Sequence, residues 1–289
     1  KRGQVRVVWG SLRMSSTSSK KRPREPEPED GGLGGLYDFL PPPDPERDAA
    51  ALAAATKKAR PKLPPEDKSR VIFLDIDGVL LPTGSVQTIL IDGVALPVRE
   101  KMSESDFSAA ALGNLRSIVM QTGASIVLSS EWRRTEAMKN SIGVIFRSKE
   151  LPQLRDYTVI LKPKSDIPDP VIAWCERRAR EIGQWLKQHP EVTSWVAIDD
   201  LDFNWADAFR APGTPVMKCR SVHTDCQHCI TEDDANEAVR ILLNPPNPTE
   251  EEIQAQVEAS VRATQKALKD GAIQSTGVGR SSEKKDKDN

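Results

Sequence analysis

One stretch, Val71-Ile-Phe-Leu-Asp-Ile-Asp-Gly-Val-Leu80, limits what this chain can fold into more than any other. Four apolar residues run without a polar interruption and stop at Asp75, so both faces of the segment belong in a core. A strand buried on both faces implies a parallel sheet covered by helices. Asp75 and Asp77 stand two residues apart at the strand end, where side chains of like parity point the same way. Gly78 gives the chain the freedom for a sharp turn directly after them.

The same grammar repeats downstream. Residues 107–122 have helical spacing at Ala111, Leu115, Ile118 and Val119, and Gly123 closes the helix. Ser125-Ile-Val-Leu128 reads as a second buried strand, ending on Ser129 and Ser130. A helix is expected over 177–189 with Ile182, Trp185 and Leu186 on one face, stopped by Pro190. Trp195-Val-Ala-Ile198 is a third strand, ending on Asp199 and Asp200, and Pro215-Val-Met217 a candidate fourth. Thr231 caps a closing helix over 232–243, with Asp233 and Asp234 suiting its positive end. Strands alternating with amphipathic helices predict an α/β fold, a doubly wound, Rossmann-like parallel sheet with helices on both faces. Ligands of such sheets sit beyond the carboxyl ends of the strands, where Asp75, Ser129, Asp199 and Asp200 all fall.

This domain is expected over residues 69–245. Residues 1–68 are Ser-rich, then basic at Lys20-Lys-Arg-Pro-Arg24, then rich in Pro, Glu and Gly, and cannot bury enough apolar surface to order. Within them Leu36-Tyr-Asp-Phe-Leu40 is an incidental apolar patch or a docking segment, and 48–60 a weak Ala-rich helix. Residues 246–289 hold one amphipathic helix, begun by Thr249 and three glutamates, and a polar tail beyond Gly271. That helix is expected to pack on the domain, with a protein partner as the alternative. A net charge of -1 gives no global pull toward nucleic acid or membrane, and no apolar run is long enough to span a bilayer. Four cysteines without a disulfide pattern point to a reducing compartment, cytoplasmic, or nuclear if Lys21-Arg-Pro-Arg24 acts as an import signal. Three of them crowd with two histidines into Cys219, His223, Cys226, His228 and Cys229. Only one Cys-x2-Cys is present, so this is read as a reduced surface loop in preference to a zinc site.

Asp75 can attack phosphorus as a nucleophile, while Asp77 gives a proton to the leaving oxygen and later takes one from water. Close carboxylates repel unless a cation offsets them, and hard oxygen donors suit Mg2+, held by Asp75, Asp77, Asp199 and Asp200. Phosphoryl transfer also needs donors on the free oxygens. Ser129 supplies a hydroxyl, and a cation is expected from Arg177, Arg178 or Arg180. Gly78 and Ser130 border the phosphate. Trp132, beside Arg133 and Arg134, is either a packed residue or a rim residue that stacks a base while an arginine holds a phosphate.

This ordered set resembles the haloacid dehalogenase (HAD) superfamily, with an Asp-x-Asp strand, a Ser strand end, a basic residue near a helix and an acidic pair after a strand. The resemblance covers residues 70–243. Ile126-Val-Leu-Ser-Ser-Glu-Trp-Arg133, Arg178-Ala-Arg-Glu-Ile-Gly-Gln-Trp-Leu186 and Ala197-Ile-Asp-Asp200 look more narrowly like a small-phosphatase branch found alone and in RNA-repair assemblies. In that branch a basic residue stands four before the helix isoleucine, which selects Arg178. The intervals between Asp75, Ser129 and Arg178 leave room for a flap but for no large cap. Capless members tend to accept bulky substrates such as polynucleotide ends or phosphoproteins, so the resemblance implies a Mg2+-dependent phosphatase, with nucleotide or polynucleotide ends as the expected substrate. The alternatives are a phosphomutase, which needs a lid, and a non-catalytic scaffold or nucleic-acid-binding protein built on the same fold.

Overall fold

Val71, Ile72, Phe73 and Leu74 are fully buried and form the end of β1 (Asp67–Leu74), the middle strand of a five-stranded sheet. The computed structural model describes residues 62–83, 88–91, 94–97, 102–167, 169–210 and 214–270, with the backbone alone for 88–91 and 94–97. The expectations for 20–24, 36–40, 48–60 and the tail beyond Gly271 lie outside the described residues.

β1 pairs in parallel with β4 (Ala124–Leu128) on one side and β6 (Ser194–Asp199) on the other. β4 carries the short β5 (Asp156–Tyr157), and β6 carries β7 (Ser221–His223), both again parallel. The chain therefore builds outward from β1 in one direction, then crosses back to build in the other. That reversal puts the ligand crevice at the carboxyl ends of β1 and β6. Between β1 and α1 (Ala109–Thr122) the flap region contains an antiparallel pair, β2 (Thr88–Ile91) and β3 (Val94–Pro97). No large cap domain interrupts the described sheet.

Alternation along β1 divides the core in two. Ile72 and Leu74 face the layer formed by α1, α2 (Glu136–Ser148) and α5 (Glu232–Leu243), meeting Leu112, Leu115, Ile142, Phe146 and Ile241. Val71 and Phe73 face α3 (Pro170–Gln188) and α4 (Asn204–Asp207), where Phe73 lies edge-on to Trp185 at 5.3 Å and to Trp195 at 5.9 Å. Each such side chain contributes about 1.5 to 3 kcal/mol by leaving water. Helix ends follow the sequence signals. Ser108 and Thr231 accept backbone N–H bonds as N-caps, and Gly123 ends α1 in the left-handed region at φ 67°. The final helix, α6 (Glu250–Asp270), packs against α4 and buries Ser260 and Thr264.

Two expected elements change. α3 starts at Pro170 on an Asp169 N-cap, earlier than residue 177, because Val171, Ile172 and Cys175 extend its apolar face. Arg177, Arg178 and Arg180 thus lie inside the helix, not at its start. Pro215-Val-Met217 is not a strand; the backbone N–H groups of Met217 and Lys218 are taken by the Asp207 carboxylate, and the edge strand forms afterwards as β7. α2 and the two-residue β5 were not expected.

Candidate active site

Backbone hydrogen bonds hold the strand ends level. The N–H of Asp75 donates to Ile198 O at 3.0 Å, and that of Ser129 to Leu74 O at 2.9 Å. On this edge the carboxylates of Asp75, Asp199 and Asp200 converge, each offering an oxygen within 4.8 Å of the others. Asp75 and Asp199 are buried and Asp200 half-buried. Arg178, itself buried, donates from Nη1 to Asp75 Oδ1 at 3.1 Å and to Asp199 Oδ2 at 2.5 Å. Of the other two arginines, Arg177 reaches Glu131, and Arg180 reaches Glu176 and the Lys162 carbonyl.

Crowded charge sets the electrostatics. Burial pushes the Asp199 carboxyl up to about 7, with the Asp75 charge adding to it and Arg178 opposing it. Burial also drives Asp200 well above the usual carboxylate range, helped by Asp75, Asp199 and Asp77. Asp77 rises to about 7, again through burial first and the Asp75 charge second. Burial opposes the charge on Arg178, yet Asp199 and Asp75 outweigh it and hold the guanidinium protonated. Three converging carboxylates that cannot all ionise unaided form a hard-oxygen donor set suited to a divalent cation.

Gly78 makes this closeness possible. Its φ is +71°, and a Cβ there would stand 2.7 Å from Asp200 Cβ and Oδ2, so any other residue is strained and displaces the carboxylate. Thr224 donates its hydroxyl to Gly78 O at 2.9 Å and fixes the turn from the far side.

The remaining expected residues fall into different places. Ser129 is buried at the end of β4, and its hydroxyl finds no hydrogen-bond partner among the described residues, which leaves a donor on the site's edge. Ser130 is the N-cap of a 3-10 turn, Glu131–Arg134, accepting from Trp132 N at 3.4 Å. Asp77 stands apart from the three converging carboxylates, its Oδ2 accepting from Trp132 Nε1 at 2.8 Å. The rim role expected of Trp132 and Arg133 is corrected. Trp132 is fully buried, edge-on to Phe107 at 6.5 Å, because the 3-10 turn folds the ring back into the core. Arg133 is buried too, donating to the carbonyls of Ser129, Ser130, Thr158 and Val159 and to Glu181. It clamps the end of β4 and has no face left for a substrate.

Sequence reasoning missed the acidic side of this layer. Glu131 pairs with Arg177 and Arg134, and Glu181, with no exposed surface, pairs with Arg133 at 2.5 Å. Glu181 also lies 3.6 Å from Arg177 Nε and 4.0 Å from Arg178 Nε. The available signal was spacing, since Glu181 is three residues from Arg178 and four from Arg177 on one helix.

A family model described as the HAD domain in Swiss Army Knife RNA repair proteins matches residues 71–235, more than half of the chain. The chain belongs to this family. Neither the curated proteins nor the solved structures compared with it gave a match. A HAD domain of this family suggests phosphatase-like hydrolase activity, in keeping with the resemblance read from the motifs. Within the HAD domain the cysteine loop shows no metal-like convergence among the described residues. His228 Nδ1 bonds Asp225 at 2.8 Å, His223 Nε2 donates to Asp200 O at 3.0 Å, and Cys229 is buried. No helix among the described residues is long and apolar enough to cross a membrane.

Proposed function

We propose that this HAD domain hydrolyses phosphate monoesters through an aspartyl-phosphate on Asp75, with Mg2+ held by Asp75, Asp199 and Asp200. The observation that carries this reading is the meeting of those three carboxylates with Arg178 at the carboxyl edge of β1 and β6. Mg2+, when bound, offsets the carboxylate charge and that of the phosphoryl oxygens. The protein's own groups do the rest. The Asp75 carboxylate forms a bond to phosphorus as the ester P–O bond breaks, and Asp77 protonates the leaving oxygen. Water then attacks the acyl phosphate, giving a proton to Asp77 and releasing inorganic phosphate. Arg178 and the Ser129 hydroxyl donate to the non-bridging oxygens, the placement on which phosphoryl transfer depends.

For the substrate we propose a phosphate at the end of a nucleotide or polynucleotide. Support comes from the family, described by its place in RNA repair proteins, and from a sheet edge with no large cap over it among the described residues. It does not come from Trp132, which is buried. A Mg2+-dependent screen of phosphorylated nucleotides, oligonucleotide ends and phosphopeptides tests both parts. Phosphate release from oligonucleotide ends is expected, and release from phosphopeptides alone would overturn the substrate class.

The cation part has a readout that needs no turnover. Asp199 and Asp200 bind protons more tightly in the folded chain than in the unfolded one, so without metal their contribution to stability falls as pH rises from about 4 toward 7 and beyond. A cation that binds the ionised carboxylates reverses this. At about 100 times its dissociation constant it adds about 2.7 kcal/mol. We expect Mg2+ to raise the melting temperature by roughly 5 to 10 °C at pH 8 and far less at pH 5. An equal shift at both pH values would place the binding elsewhere.

A further inference from the structure

Trp132 stands out once its rim role is gone. It is fully buried, and its one polar atom points at a carboxyl that the proposed reaction uses. The Nε1–H donates to Asp77 Oδ2 at 2.8 Å. An indole nitrogen is a donor only, so it can neither take a proton from Asp77 nor give one up. With Oδ2 engaged, Oδ1 is the oxygen left to carry the mobile proton. Both partners are independently fixed. The Asp77 main chain sits in a loop where the N–H groups of Val79, Leu80 and Leu81 all donate to Ile76 O and that of Gly78 to Leu81 O. Trp132 is set by the Ser130 cap on its own N–H, by Phe107 against its ring, and by Arg133, which holds the carbonyls of Ser129 and Ser130 at 2.5 and 2.6 Å.

We infer that Trp132 is a positioning residue for Asp77, turning its carboxyl so that Oδ1 faces the leaving oxygen. The inference rests on the phosphatase reading and deepens it. Proton delivery matters in proportion to the basicity of the leaving group. An alkoxide needs the proton in the transition state, whereas nitrophenolate leaves without one. Trp132→Phe keeps a buried ring and removes the N–H. With the full chain and Mg2+, its kcat on glycerol 2-phosphate is expected to fall about 100-fold, with KM nearly unchanged, since small misplacements of a reacting group cost on that order. The loss on 4-nitrophenyl phosphate is expected to stay below about tenfold, because the contribution of a general acid is what has been removed. Equal losses on the two esters would overturn the inference and leave the phosphatase reading standing. A wild-type chain that releases phosphate neither from these esters nor from phosphorylated oligonucleotide ends would overturn the reading and the inference together. Should Trp132→Phe fail to fold, the indole N–H resonance of the wild-type chain decides. It is expected downfield and to move upfield in Asp77→Ala, and an unmoved signal would overturn the inference.

Discussion

Asp75→Asn lowers kcat by about 10,000-fold or more and leaves the fold intact. The amide has the shape of the carboxylate but no oxygen nucleophilic enough to take a phosphoryl group, and loss of a nucleophile typically costs this much or more. The variant is expected to fold because its neighbours stay paired. Asp75 lies against Arg178 at 3.1 Å, and Arg178 keeps its 2.5 Å partner Asp199, so no buried cation is stranded. Taking one charge from a crowded carboxylate set also relieves repulsion, and a melting temperature equal to or above that of the wild type is expected. Phosphate release and thermal melting on the same preparation check both halves. A folded variant turning over near the wild-type rate would remove Asp75 from the nucleophile's role.

Glu181→Ala has the opposite signature, a large loss of stability from a residue that touches no proposed substrate. Glu181 has no exposed surface, and its carboxylate serves Arg133 at 2.5 Å, Leu161 N at 2.9 Å and the flanks of Arg177 and Arg178. Burial already pulls the Arg133 guanidinium down to about 10, with Glu181 the main opposing influence. Removing one partner of a buried pair leaves an uncompensated charge and costs about 3 to 5 kcal/mol. For a domain of this size that is roughly 6 to 20 °C in melting temperature. Glu181→Gln, which keeps a hydrogen-bonding group, is expected to lose less. A drop below about 2 °C for the alanine variant would mean that water or rearrangement serves the arginines as well.

The two predictions mark what the sequence could and could not convey. The strands and the convergence of Asp75 and Asp199 were legible because a buried parallel strand is a continuous apolar run, and neighbouring parallel strands deliver their end residues to one edge. Arg178 could be separated from Arg177 and Arg180 only through the resemblance, since their spacing alone offers three neighbouring cations. For Trp132 the choice between a packed and a rim place stayed open because adjacent residues of a loop carry no periodicity, and a 3-10 turn sends both it and Arg133 inward. Glu131 and Glu181 were passed over because a charged residue is ordinarily solvated, and long-range pairing of Glu131 with Arg177 and of Glu181 with Arg133 makes these two interior. β5 was invisible for a simpler reason, being two residues long and defined by its neighbour β4.

Trapping the phosphorylated enzyme shows whether Asp75 carries the phosphoryl group. The full chain, turning over a phosphate-labelled ester with Mg2+, is quenched in acid and digested. Label is expected on the peptide holding Asp75, removed by hydroxylamine as an acyl phosphate must be, and absent from Asp75→Asn. Label retained in that variant, or found on another residue during steady turnover, would contradict it.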